Sequence, residues 1–200
     1  MDKDLKTKKN KNKRSVIREW VESIIVAFIL AMIIRTFVVQ AFKIPSASME
    51  PTLLVGDHIL VNKFIYGLRI PFLGKRILFL GTKKPTRGEV IVFIYPQEPK
   101  KNFIKRLVAF GGERVKIKNG MIYINGQPLN DDIFGRFYYY NRGTYGVEEE
   151  IVVPPNCYYV LGDNSFSSQD SRYWGFVPDK NILGKAFLIY FPLSRIRLIR

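Results

Sequence analysis

Cysteine and histidine are almost missing from this chain of 200 residues: Cys157 and His58 each stand alone. A single thiol excludes an intrachain disulfide and a thiolate zinc cluster. A single imidazole excludes a His-rich metal site, so no metal is expected, and any histidine mechanism would rest on His58. Acidic residues are also scarce, 17 against 32 Lys and Arg, for a formal net charge of +15. An excess of that size draws a chain toward nucleic acid or anionic lipid. Seven basic residues fall in the first fourteen positions beside only Asp2 and Asp4. The others are dispersed, in no block resembling a nucleic-acid motif. Lipid is therefore the expected partner of the charge, and nucleic acid is not. Hydrophobic residues at 47% exclude general disorder and suffice for one catalytic domain with a small appended lobe.

Residues 20–41 are expected to form a single N-terminal transmembrane helix. Their apolar run is unbroken from Ile24 to Ile34, and a span needs about 20 mostly apolar residues. Glu22 and Arg35 sit near the two ends, where a long basic side chain can reach the interface. Trp20 suits the opposite interface. A cleaved secretory signal is the alternative, with Ala41 as the small residue at its end, and Arg35 between the run and that site counts against it. The basic tail, 1–19, places the N-terminus in the cytoplasm and the remaining chain outside. Ser48 then lies within roughly 30 Å of the membrane exit, even on a fully extended link.

Beyond the anchor the pattern is mainly β. Short β-branched and aromatic runs at 57–66, 89–95, 103–110, 114–118, 121–125, 151–153, 158–161 and 185–191 are separated by Gly, Pro, Asn and Asp. The clearest hairpin is RVKIK-NG-MIYIN, with Asn119–Gly120 in a type I′ turn. A two-lobed antiparallel domain is expected: a catalytic part at 42–112 and 155–200, interrupted by a smaller β lobe at 113–154. The apolar residues Phe72, Leu73, Ile77, Leu78, Phe79 and Leu80 read equally as a core strand or as a surface dipping into lipid.

Three segments carry chemistry. In Ile44-Pro45-Ser46-Ala47-Ser48-Met49-Glu50-Pro51-Thr52-Leu53, two prolines and small neighbours present the Ser48 hydroxyl on a stiff turn. A serine becomes a nucleophile only when a base takes its proton, and a nearby N–H can hold the oxyanion. In Phe103-Ile104-Lys105-Arg106-Leu107, strand alternation sets Lys105 on a face with Phe103 and Leu107. Apolar surroundings disfavour its ammonium form and lower its pKa toward that of a useful base. In the third segment, 162–178, Asp170 and Arg172 are two apart, so on an extended stretch they share a face and can pair. Taken singly, these segments also read as a linker loop, a surface lysine and a polar turn.

Together, in this order behind an anchor, the segments resemble the motifs of bacterial type I signal peptidases, the Ser–Lys dyad proteases. The pattern SxSMxPTL is matched at 46–53, RGDIVVF at 87–93, the Lys-Arg box at 105–106 and GDN…SxDSRYWGFVP at 162–178. The resemblance implies a membrane-bound serine endopeptidase that removes signal peptides from exported preproteins, after small residues at −1 and −3. It implies no cofactor, and a place on the outer face of the bacterial cytoplasmic membrane near the export translocon. By the same resemblance Ser48 is the nucleophile and Lys105 the general base. The Ser46 hydroxyl and Ser48 N–H form the oxyanion hole, Ser168 hydrogen-bonds Lys105, and Asp170 and Arg172 form a supporting ion pair. Ile44, Pro45, Met49, Leu53, Phe103 and Ile104 line the substrate pockets.

The sequence departs from the pattern at Ala47 for glycine, at Glu89 for aspartate, and at Ser165-Phe166-Ser167 for the commoner Arg-Asp-Asn. His58 reads as structural. Two other classes stay open at this point: another Ser–Lys processing peptidase of the same fold, and a non-enzymatic, membrane-tethered β binding domain. A self-cleaving repressor would need a DNA-binding domain, which is absent.

Overall fold

The computed structural model describes residues 2–69, 76–77, 83–146 and 149–199. The chain divides into two compact units, Met1–Val38 and Val39–Arg200.

The first unit is helical. No Gly or Pro occurs before Pro45, and α1 runs uninterrupted over Asp2–Ile33 before a π-helical turn, Ile34–Val38. Trp20, Ile24, Ile25, Phe28 and Ile29 are all exposed on it. The expected transmembrane helix is not found as such: among the described residues no helix is long and apolar enough to cross a membrane. The physical reason is local. The α-helix stops at Ile33, its last eighteen residues include Arg18, Glu19 and Glu22, and the apolar run continues into the π turn. The helical unit also ends before the expected limit of 41, because Val39–Lys43 is already a strand.

The second unit contains fourteen strands among the described residues: β1 (Val39–Lys43), β2 (His58–Asn62), β3 (Leu68–Arg69), β4 (Arg76–Ile77), β5 (Val90–Ile94), β6 (Asn102–Phe110), β7 (Arg114–Lys118), β8 (Met121–Ile124), β9 (Gln127–Pro128), β10 (Ile151–Val152), β11 (Cys157–Leu161), β12 (Val177–Pro178), β13 (Ile182–Phe191) and β14 (Arg197–Leu198). The large sheet has the order β1-β2-β13-β5-β6-β11-β12, with β14 beside β13, and every pairing in it is antiparallel. A second sheet, β10-β7-β8-β9, occupies the stretch read from sequence as the smaller lobe. Its β7–β8 turn has Asn119 at φ 52 and Gly120 at φ 78, the left-handed pair that a type I′ hairpin requires. The segment at 70–80 lies outside the described residues, apart from β4.

Alternation along β5 explains the core. Ile91 and Phe93 enter one apolar cluster with Leu107, Val160 and Trp174, while Val90 and Val92 enter another with Ile44, Met49, Leu53 and Ile59. The sheet is thus covered on both faces at β5 and β6, and Lys105–Ala109 are all buried. That double cover is what takes a lysine on β6 out of water.

Candidate active site

Strand pairing brings the three chemistry-bearing segments to one place. Lys105 on β6 lies opposite Ile91 of β5, and Arg106 lies opposite Leu161, the last residue of β11. The chain leaving β11 therefore passes beside Lys105 and Arg106, and it carries Gly162, Asp163 and Asn164. The Ser48 loop is a single 3-10 turn, Ala47–Met49, entered from an extended Ser46 at φ −140. Met49 and Leu53 sink into the core at 0% exposure and hold the turn down. The Asn164 N–H donates to the Ser48 carbonyl at 3.2 Å, which ties the two loops together. Gly162 makes the approach possible: a Cβ there would stand 2.4 Å from the Ser48 carbonyl oxygen and clash with Ser168 Oγ.

Lys105 Nζ is hydrogen-bonded to Ser48 Oγ at 2.7 Å and donates to the Ile104 carbonyl at 3.0 Å. Both residues are buried, and the Phe103 ring centroid lies 5.5 Å from the amine. Burial pushes the Lys105 pKa down to about 8. Asp170 and Asp163 pull it back up, less strongly, and Arg172 adds a further push down. The pair has the geometry of a serine hydroxyl with its base in direct contact.

Two buried ion pairs frame the dyad. The Asp170–Arg172 pair is bidentate at 2.8 and 2.9 Å, with both side chains fully buried. It does not lie on an extended stretch as expected. Asp170 is the N-cap of the short helix α2 (Ser171–Trp174), and its carboxylate accepts from the Arg172 N–H. Arg172 also donates to Ser165 Oγ at 2.6 Å and to the Ser165 carbonyl at 2.7 Å. The second pair, Arg106–Asp163, had no role in the sequence reading. Arg106 donates to both oxygens of Asp163 at 2.7 and 2.6 Å and to the Gly88 carbonyl at 2.6 Å, and the Thr52 hydroxyl donates to Asp163. It links the nucleophile loop, β6 and the 162–164 loop. Thr52, Arg106 and Asp163 all fall inside matched motifs, which was the available signal.

The expected bond from Ser168 to Lys105 is not made. Ser168 is buried but its Oγ has no hydrogen-bond partner, and Lys105 is engaged by Ser48 and Ile104 instead. The expected pocket residues divide. Pro45 is exposed and Phe103 and Ile104 are half-buried, so these remain at the surface. Ile44, Met49 and Leu53 are core, at 2%, 0% and 0% exposure, in the cluster against which Ile104 packs, whereas Phe103 packs against the other cluster. His58 packs edge-on against Tyr190 and Phe191.

The Arg106–Asp163 pair generates a stability expectation. Asp163→Ala leaves the Arg106 guanidinium buried without its carboxylate, a cost of about 3–5 kcal/mol. Equilibrium denaturation should register a loss of that order, and a loss below about 1 kcal/mol would contradict the clamp.

Comparison with known proteins places this geometry. The family described as signal peptidase, peptidase S26, matches residues 17–191. A signal peptidase I of Pseudomonas aeruginosa is 37% identical over 216 residues, covering 90% of this chain and 74% of the relative. A signal peptidase I of Pseudomonas fluorescens is 37% identical over 212 residues with the same coverage. A probable signal peptidase I-2 of Synechocystis is 38% identical over 188 residues, covering 90% and 77%. The match takes in the Ser48 turn, the Lys105 strand and both buried ion pairs, and the chain belongs to the signal peptidase family S26, serine endopeptidases that remove signal peptides.

Proposed function

We propose that Ser48 and Lys105 carry out the cleavage as a dyad. The observation that carries this reading is the 2.7 Å contact between a buried amine and a buried hydroxyl. Neutral Lys105 Nζ takes the proton from Ser48 Oγ, which attacks the scissile carbonyl carbon. The resulting oxyanion is held by the Ser48 N–H and the Ser46 hydroxyl. Two facts support that pairing. Ser46 is exposed and makes no side-chain cap to its own turn. Ser48 sits in the first turn of a helix, where N–H groups have no intrahelical partner. Collapse of the intermediate expels the amine of the mature chain, protonated by the Lys105 ammonium, and leaves an acyl-enzyme on Ser48. Water, deprotonated by Lys105, then hydrolyses the ester and frees the signal peptide.

Pro45, Phe103 and Ile104 form the surface that meets small side chains at −1 and −3, with Ile44, Met49 and Leu53 buried behind Ile104. Ser168, Asp170 and Arg172 hold positions around the base rather than reacting. Three variants test the assignment. Ser48→Ala and Lys105→Arg should each lower turnover of a preprotein by at least about a thousandfold with the fold intact. Lys105→Arg fails because a guanidinium does not deprotonate in the working range. His58→Ala should stay within about threefold of wild type, and its loss of activity in folded protein would revive a histidine mechanism.

The same proposal places the chain in the bacterial cytoplasmic membrane as a single-pass protein. The N-terminus would be cytoplasmic and the β unit on the outer face, near the translocon from which preproteins emerge. The mostly apolar, all-round exposed surface of the helix at 20–32 and the basic tail before it support this. Protease added to cells stripped of their outer layers should digest the β unit and spare an N-terminal tag. Digestion of the tag with a protected β unit would overturn the orientation.

A further inference from the structure

A row of exposed aromatic side chains leads away from the nucleophile turn. Tyr138, Tyr140 and Phe166 are 59%, 38% and 66% exposed. Their rings meet edge-on, with centroids 4.9 Å apart for Tyr138–Tyr140 and 5.9 Å for Tyr140–Phe166. The Arg142 guanidinium lies over Tyr140 and Phe166 at 5.0 and 4.8 Å. Beside the row runs a groove of about 430 Å³, also lined by Glu50, Pro51, Arg136 and Asn164. Phe166 belongs to the run Ser165-Phe166-Ser167, which the catalytic chemistry does not use.

This row is held in place by the site itself. The Tyr140 N–H donates to Ser165 Oγ at 2.9 Å, and Arg172 donates to the Tyr140 carbonyl at 3.0 Å and to Ser165 Oγ at 2.6 Å. The same arginine pairs with Asp170. Aromatic rings fixed in water by a buried ionic network make a preorganised surface, and exposed apolar patches of this kind mark binding sites. The patch is tied to the Ser48 turn through neighbouring residues. Glu50 and Pro51 follow Ser48 by two and three residues, and Asn164, two residues before Phe166, bonds the Ser48 carbonyl.

We propose that this groove binds the mature part of the preprotein, just beyond the scissile bond, and selects for aromatic and acidic residues there. The inference rests on the dyad reading above, which assigns Pro45, Phe103 and Ile104 to the signal-peptide side of Ser48. The groove lies along the residues that follow Ser48, on the side we assign to the leaving chain. Its rings stack on aromatic side chains. Its charge comes from exposed Arg136 and Arg142 against Glu50, since Asp163 is neutralised by Arg106. An acidic side chain is therefore attracted and a lysine repelled. The second to fifth residues after the cut are the ones tested, a span of roughly 13 Å at about 3.3 Å per extended residue.

The test uses the full chain in detergent micelles and two peptides identical through the first residue after the cut. One continues with Phe and Glu at the second to fifth positions, the other with Ser and Lys. Wild type should cleave the first with a kcat/KM about five- to tenfold higher, mainly through KM. In Phe166→Ala and in Arg142→Ala that ratio should fall to within about twofold of unity. An unchanged ratio in both variants overturns the proposal. So does an unchanged ratio accompanied by weaker binding to phosphatidylglycerol vesicles, which would make the patch a lipid contact. Failure of the dyad reading is told apart by Ser48→Ala, which would then still cut both peptides.

Discussion

Everything in the site depends on an amine held out of water against a hydroxyl. An ordinary lysine is charged at neutral pH and has no lone pair to offer. The fold removes that charge's hydration by burying Lys105 in a strand covered on both faces, with Phe103 alongside. The cost of burying the ammonium form becomes basicity in a useful range. A close carboxylate partner would cancel that effect, because a direct ion pair would restore the charge. Asp163 and Asp170 are each already paired, one with Arg106 and one with Arg172, so their pull on the amine is weaker than its desolvation.

Those two ion pairs make the arrangement persist. Each arginine is fully buried and reaches several segments at once: Arg106 joins Gly88, Asp163 and Thr52, and Arg172 joins Asp170, Ser165 and Tyr140. Buried pairs gain little net energy over apolar packing, but they have directional bonds and fix geometry. Gly162 completes the assembly, because its missing side chain lets the Ser48 turn and Ser168 come together. A lysine base must be hidden from water, and here the sheet supplies the cover, with Ser48 buried against it at 6% exposure.

Much of this was legible in the residues, for physical reasons that differ from place to place. Alternating β-branched and aromatic runs located most of the strands, and Asn119–Gly120 marked the hairpin, because both signals are local. The meeting of Ser48 and Lys105 was legible only from the motifs in order, since neither residue stands out alone. The burial of Arg106 was not legible. Alternation would have turned it to solvent, whereas β6 lies between β5 and β11 under cover on both sides. The Asp170–Arg172 pair was expected on an extended stretch and instead forms across a helix N-terminus, where the Asp170 cap also accepts the Arg172 N–H. The Ser168 contact is not made: its Oγ has no partner, and the amine bonds Ser48 and Ile104. The end of the helical unit was misjudged because no Gly or Pro marks the change from helix to β1.

The central claim is that a depressed lysine pKa sets the activity. Lys105 works only when neutral, so kcat/KM should be low in acid, rise through an apparent pKa of about 8, and level off on the alkaline side. The direct measurement is the pH dependence of kcat/KM on a peptide with alanine at −3 and −1, over the range in which the enzyme stays folded. A single ascending limb near 8 is the expected result. A profile flat from mildly acidic to alkaline pH, or a midpoint near the ordinary lysine value of about 10.4, would contradict it.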